Sequence, residues 1–188
     1  MEVALFRPRL ESADDRTLVG RASGGDVRAY EVLVRRYSPL MRAYAIRILG
    51  SNSDADDVVQ DALITAWNSL STLQDAGVVK SWLMRIVSHK SIDNIRARRA
   101  HVDIDDIEPA APRAVIPENV AVAKSSEEAL SRALDTLPLL QRRCWVLKEV
   151  SVYSYDEIAS KLDLPVSTVR GLLSRARKNL IGQMEEWR

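Results

Sequence analysis

Apolar residues in this chain recur three and four positions apart almost from end to end, and the two-residue alternation of a half-buried strand is missing. A chain patterned this way buries its apolar surface by packing helix on helix. The spacing predicts a short helix at 14–22, a break at Gly24-Gly25, and a long helix at 26–49 with a kink at Pro39. A turn at 50–53 follows, with Ser53 or Asp54 placed to cap a helix reaching residue 70. After a loop at 71–79, a further helix is expected at 80–99. Four shorter helices are expected at 126–135, 138–150, 154–162 and 166–183. Pro138 suits a first helical turn, and Ser154 with Glu157 has capping-box spacing.

The helical period stops between His101 and Lys124. Pro109, Pro112 and Pro117 fall there among Asp103, Asp105, Asp106 and Glu108, the composition of a flexible acidic tether. The chain is therefore expected to be all-α, with two small helical domains at 12–100 and 125–187 joined by the linker at 101–124. The overall charge of +1 hides a local separation: 15 basic and 12 acidic side chains in residues 1–100, 2 and 5 in the tether, and 10 and 9 beyond it.

That near-neutrality excludes a protein that coats nucleic acid uniformly. No run approaches the roughly 20 apolar residues that cross a bilayer, and residues 1–10 lack an apolar signal core, so a cytoplasmic location is expected and no membrane insertion. The single cysteine, Cys144, sits in an apolar run and reads as a buried, inert thiol. With only His89 and His101 beside it, zinc-binding spacings are missing. Gly20 to Gly25 is followed by Asp26, where a phosphate loop needs Lys-Ser/Thr. No catalytic residues, metal or cofactor are expected, and an enzyme acting on nucleic acid is the weakest reading.

Three surfaces carry the functional information. In segment 166–180, Val169, Leu172, Leu173, Ala176 and Leu180 share one face, while Ser167, Arg170, Gly171, Ser174, Arg177 and Lys178 share the other. Preceded by a short helix and a tight turn at 163–165, this describes a helix-turn-helix. Arg170 near the helix start suits base edges, and Arg175, Arg177 and Lys178 suit phosphates. An amphipathic helix with a solvated basic face is the bland alternative.

In segment 80–99, Arg85, His89 and Arg96 project within a narrow sector, and Asp93 is the one acid among six Lys and Arg. Part of that charge only offsets the helix dipole. Trp82 reads as core in preference to a base-stacking residue. In segment 54–70, Ala55, Val58, Val59, Ala62, Leu63 and Ala66 form a buried stripe, with Asp54, Asp56, Asp57, Gln60 and Asp61 outside it. Asp in a first helical turn is favoured by the dipole alone; Asp61 lies beyond that turn and extends an acidic face better suited to protein than to DNA.

In this order the segments resemble a bacterial sigma factor of the extracytoplasmic-function (ECF, group four) type, over about residues 12–182. Asp-Ala-Asp-Asp-Val-Val-Gln-Asp-Ala-Leu (54–63) resembles the family's polymerase-docking motif. Residues 81–99, beginning Ser-Trp-Leu-Met-Arg, resemble its −10 recognition and melting helix, and Leu137-Pro138 through Leu180 resemble its −35-binding domain. Tyr-Ser-Tyr-Asp-Glu-Ile-Ala and Ser-Thr-Val-Arg are the sharpest pieces of the last.

The resemblance implies that Asp54, Asp56, Asp57, Gln60 and Asp61 grip the clamp helices of the largest subunit of core RNA polymerase, with the second domain at the flap region. It implies that Ser71, Thr72, Lys80, Arg85, His89, Arg96 and Arg99 meet −10 DNA. Ser167, Thr168, Arg170, Ser174, Arg175, Arg177 and Lys178 would meet −35 DNA. The tether would enter the polymerase cleft, and an anti-sigma factor would silence the whole. Val79, His89 and Leu172 depart from the family's usual aromatic, Asn and Arg.

A stand-alone helix-turn-helix regulator is the competing class. Such proteins commonly dimerise on paired half-sites, and few residues after the recognition helix are left to build a seam. Near-zero net charge also disfavours strong unaided DNA binding, because phosphate neutralisation dominates affinity.

Overall fold

The computed structural model describes residues 10–101 and 124–185; the predicted tether lies outside them. All regular structure among the described residues is helical: α1 (Asp15–Ser23), α2 (Val27–Leu49), α3 (Asn52–Ser69), α4 (Val79–His101), α5 (Lys124–Thr136), α6 (Leu139–Glu149), α7 (Tyr155–Leu162) and α8 (Val166–Glu185). Short 3-10 turns precede α1 and fill the α3–α4 connection at Leu70–Thr72 and Ala76–Val78, so the expected loop is partly ordered helix.

Local chemistry sets the helix ends. Asp14 accepts the Thr17 N–H at 2.8 Å and starts α1. Asp26 accepts from Arg28 and Ala29 and starts α2. The α3 cap is Ser51, which accepts the Asp54 N–H, and not Ser53 or Asp54 as the sequence suggested. Pro138, with ψ 141°, is the N-cap of α6 and does not enter its first turn. The Ser154–Glu157 capping box forms with both bonds in place. Pro39 sits inside α2 without ending it; its missing N–H costs one rung, which the tertiary packing of a long helix outweighs.

Small residues let the first four helices approach closely. Ala45 on α2 and Ala55, Ala62 and Ala66 on α3 are fully buried among Leu18, Leu33, Met41, Ile48, Leu83 and Ile92. Burying each such large side chain contributes about 1.5–3 kcal/mol. Tyr30 ties α2 to α3, its ring 4.9 Å from that of Trp67 and its hydroxyl donating to the Leu63 carbonyl. Trp82 is half-buried, packed against this core. In the C-terminal half, α6 and α7 pack on α8 through Cys144, Leu147, Ile158, Leu162, Val169 and Leu173. The helix α5 closes the far side through Ala133 and Leu134, with Leu137 just beyond its end, against Ala176 and Leu180. Burial pushes the Cys144 thiol up to about 11, consistent with an inert side chain.

The two halves also touch. One continuous cluster of buried residues runs from Leu18 in α1 to Leu173 in α8, with α2 packed on α6 and α4 on α7.

Candidate nucleic-acid and docking surfaces

The turn between α7 and α8 is held by Asp163 at φ 52°, whose N–H closes back on Ala159. It delivers α8 with Val169, Leu172, Leu173, Ala176 and Leu180 inward, the predicted apolar back. Ser167, Thr168, Arg170, Ser174, Arg175, Arg177 and Lys178 are all exposed on the opposite side. Two of these cations are pre-positioned. The Arg170 guanidinium lies 5.8 Å from the ring centre of Tyr155, which Lys148 also approaches at 5.1 Å. Arg177 pairs with Glu149 at 2.9 Å, and that bond with one to Tyr155 raises its pKa further. Tyr155 is therefore an organiser of the basic face, a role the sequence signals only as part of the motif Tyr-Ser-Tyr-Asp-Glu-Ile-Ala.

On α4 the residues Lys80, Arg85, His89 and Arg96 are exposed, and Ser71 and Thr72 are exposed in the turn before it. Thr72 is fixed there by donating to the Ser69 carbonyl at 2.7 Å. Arg99 lies outside the residues whose side chains are described. The narrow sector read from the sequence faces α7: Arg96 donates to the Ser160 carbonyl at 2.9 Å. His89 lies in the fields of Lys161 and Arg85. Desolvation first, and then those two cations, lower the His89 pKa, so its imidazole is neutral near pH 7.

On α3 the acidic residues divide. Asp57, Gln60 and Asp61 are exposed. Asp56 is exposed but paired with Arg42 of α2 at 2.6 Å, which depresses its pKa. Asp54 departs from the outward position expected of it: it is 8% exposed and bonds Arg98 of α4. The reason is tertiary, because α4 crosses the start of α3 and brings a guanidinium over the first turn. Asp54 thus joins two helices and is not part of the open acidic face.

The described residues include no helix long and apolar enough to cross a membrane. Residues 33–101 match the family model Sigma-70 region 2, and residues 127–180 match Sigma-70, region 4. The ECF RNA polymerase sigma-E factor of Escherichia coli K12 is 31% identical over 185 residues, covering 93% of this chain and 96% of that protein. The ECF RNA polymerase sigma factor SigM of Mycobacterium tuberculosis is 31% identical over 177 residues, covering 93% and 86%. Among solved structures, CnrH in complex with the cytosolic domain of CnrY is 30% identical, with a TM-score of 0.48 over 92% of this chain and 97% of that one. Two region models in order, with relatives matched along nearly their whole length, establish that the chain belongs to the ECF sigma factors of RNA polymerase.

Proposed function

We propose that this sigma factor, which directs promoter-specific initiation of transcription, divides the work between a domain at 12–100 and a domain at 125–187, with 101–124 as the linker. Residues Asp57, Gln60 and Asp61 form the primary contact with the basic clamp helices of core RNA polymerase. Asp56 joins them by exchanging Arg42 for a polymerase cation, and Asp54 supports the face from beneath. The second domain sits at the flap region. Ser71, Thr72, Lys80, Arg85, His89, Arg96 and Arg99 hold the −10 strand, while Ser167, Thr168, Arg170, Ser174, Arg175, Arg177 and Lys178 engage −35 DNA. An anti-sigma factor is the natural antagonist of such surfaces, and the protein works in the cytoplasm without catalysis of its own.

One observation carries the reading: the row Ser167, Arg170, Ser174, Arg175 and Lys178 stands exposed on the helix that follows a tight turn, with Arg170 at its start. Short polar and cationic side chains there suit a major groove, with Arg aimed at guanine edges and the flanking cations at phosphates. Acid on α3 and base on α4 and α8 are complementary to two different partners, protein and DNA. The test is reconstitution. Sigma-free core polymerase with this chain should initiate transcripts from a random promoter library at sequences sharing two blocks at one spacing. Bound DNA with no transcripts would favour the stand-alone regulator.

A further inference from the structure

We propose that Arg16 of α1 is a positioning residue for −10 recognition: with Asp75 and Gly77 it clasps the turn between α3 and α4, so that Ser71, Thr72 and Lys80 meet the DNA strand already in place. This rests on the functional reading of those three residues as −10 contacts.

The turn is short, and its two faces differ. Inside, Leu70 and Val79 are buried, and Leu73 and Ala76 pack against the core. Outside, Ser71, Thr72, Gln74, Asp75, Gly77 and Val78 are exposed. Its ends are held by the flanking helices: Thr72 donates to the Ser69 carbonyl at 2.7 Å, and Ser81 of α4 donates to the Val78 carbonyl at 2.9 Å. Between the two 3-10 turns the backbone is extended, with Leu73 at ψ 106° and Asp75 at ψ 107°. An extended stretch has no internal ladder of hydrogen bonds, so its position depends on what other elements supply. Asp75 accepts the Gly77 N–H at 2.8 Å and starts the second turn. The same Oδ1 lies 3.2 Å from Arg16 Nη2, so one carboxylate joins the turn to a separate helix.

Gly77 shows how closely the guanidinium lies on the turn. A Cβ built there would stand 2.8 Å from Arg16 Nη2 and 3.1 Å from Asp75 Oδ1. Gly77 is not among the positive-φ residues, so its backbone conformation does not demand glycine. The space under the guanidinium does, and a side chain at 77 would displace Arg16 before it disturbed the fold. The two charged side chains are 71% and 55% exposed, so their contact forms or breaks without touching the core. An exposed ion pair is weak, worth a few-fold in an equilibrium, and a reading loop needs no more than that. Side chains that read a base must stand within about 0.5 Å of their productive placement, and a loop already ordered loses less freedom on binding. Packing of Leu73 and Ala76 sets the depth of the turn, and Arg16 limits its movement along the surface.

The experiment uses holoenzyme reconstituted from core polymerase and the full-length chain, on two promoter fragments that differ by one base of the −10 block selected from the library. Selectivity is the ratio of their initiation rates. Arg16→Ala, Asp75→Asn and Gly77→Ala should each lower it about two- to fivefold, with core affinity and −35 selectivity unchanged. Asp75→Asn keeps an oxygen for the Gly77 N–H, so it removes the charge pair and spares the turn. Arg16→Lys should retain most of the selectivity, and Arg16→Ala/Asp75→Asn should fall no further than either single variant. Amide hydrogen exchange at 76–78 in the free chain should quicken by the same factor in Arg16→Ala. Unchanged selectivity in Arg16→Ala and Gly77→Ala would overturn the proposal. So would a loss shared by every promoter on Arg16→Ala with a gain on Asp75→Asn, the pattern of a direct phosphate contact. If the wild type shows no −10 preference in promoter selection, the functional reading falls and takes the proposal with it; unchanged exchange in Arg16→Ala would instead sink the clasp alone.

Discussion

His89 and the Ser154–Glu157 pair show how much a single side chain here depends on its neighbours. Desolvation first, then Lys161 and Arg85, hold His89 below its ordinary 6.5. A base with a depressed folded pKa contributes its full stability above pH 6.5 and loses it as pH falls below that value. Replacing Lys161 by Ala should move the His89 titration upward, read from imidazole proton shifts; an unchanged titration would place Lys161 too far from it. Glu157 is lowered from 4.5 by hydrogen bonds at Ser154. Its contribution is therefore present above pH 4.5 and fades as pH drops through and below it. Ser154→Ala should cost about 1 kcal/mol in denaturant unfolding. Val152, 79% exposed at φ 59°, holds a β-branched side chain in the left-handed region. Val152→Gly should raise stability by roughly 1 kcal/mol. The capping box was legible in the sequence because its partners are three residues apart. The burial of Asp54 was not, because Arg98 is 44 residues away and nothing local announces the crossing of α4.

At the scale of helices, periodicity together with the break and cap residues placed the eight α-helices of the described residues within a few positions, since each buries one continuous stripe. It also separated the back of α8 from its front. What periodicity cannot carry is how a face is shared out between helices. The acidic row on α3 reads as uniform, yet Arg42 and Arg98 neutralise two of its members from α2 and α4. Asp57 and Asp61 remain open, and charge reversal there has a definite consequence. Asp57→Lys/Asp61→Lys should weaken association with core polymerase by tenfold or more, while thermal stability stays within about 0.5 kcal/mol of wild type. Titration of labelled polymerase with matched melting curves checks both. On α8, Arg170→Ala should cost about 1–3 kcal/mol of discrimination at one base pair of the −35 element, measured by competition among promoter variants. A uniform loss at every position would instead mark Arg170 as a phosphate contact.

For the molecule as a whole, the sequence marked the two helical halves but not their contact, which rests on pairs such as Tyr44 and Ser151, 107 residues apart. Such pairs leave no periodic trace. Function follows from the way modest surfaces combine. Each basic face carries only a few cations on a chain of net charge +1, too few for tight unaided binding to DNA. Held at a fixed separation by polymerase, the second contact becomes intramolecular and affinity rises by a factor on the order of 100 or more. The most direct measurement is the equilibrium affinity of one reconstituted promoter fragment for the chain alone and for the chain with core polymerase, at the same salt concentration. A gain of at least about 100-fold with polymerase is expected. Equal, tight binding by the isolated chain would contradict the account.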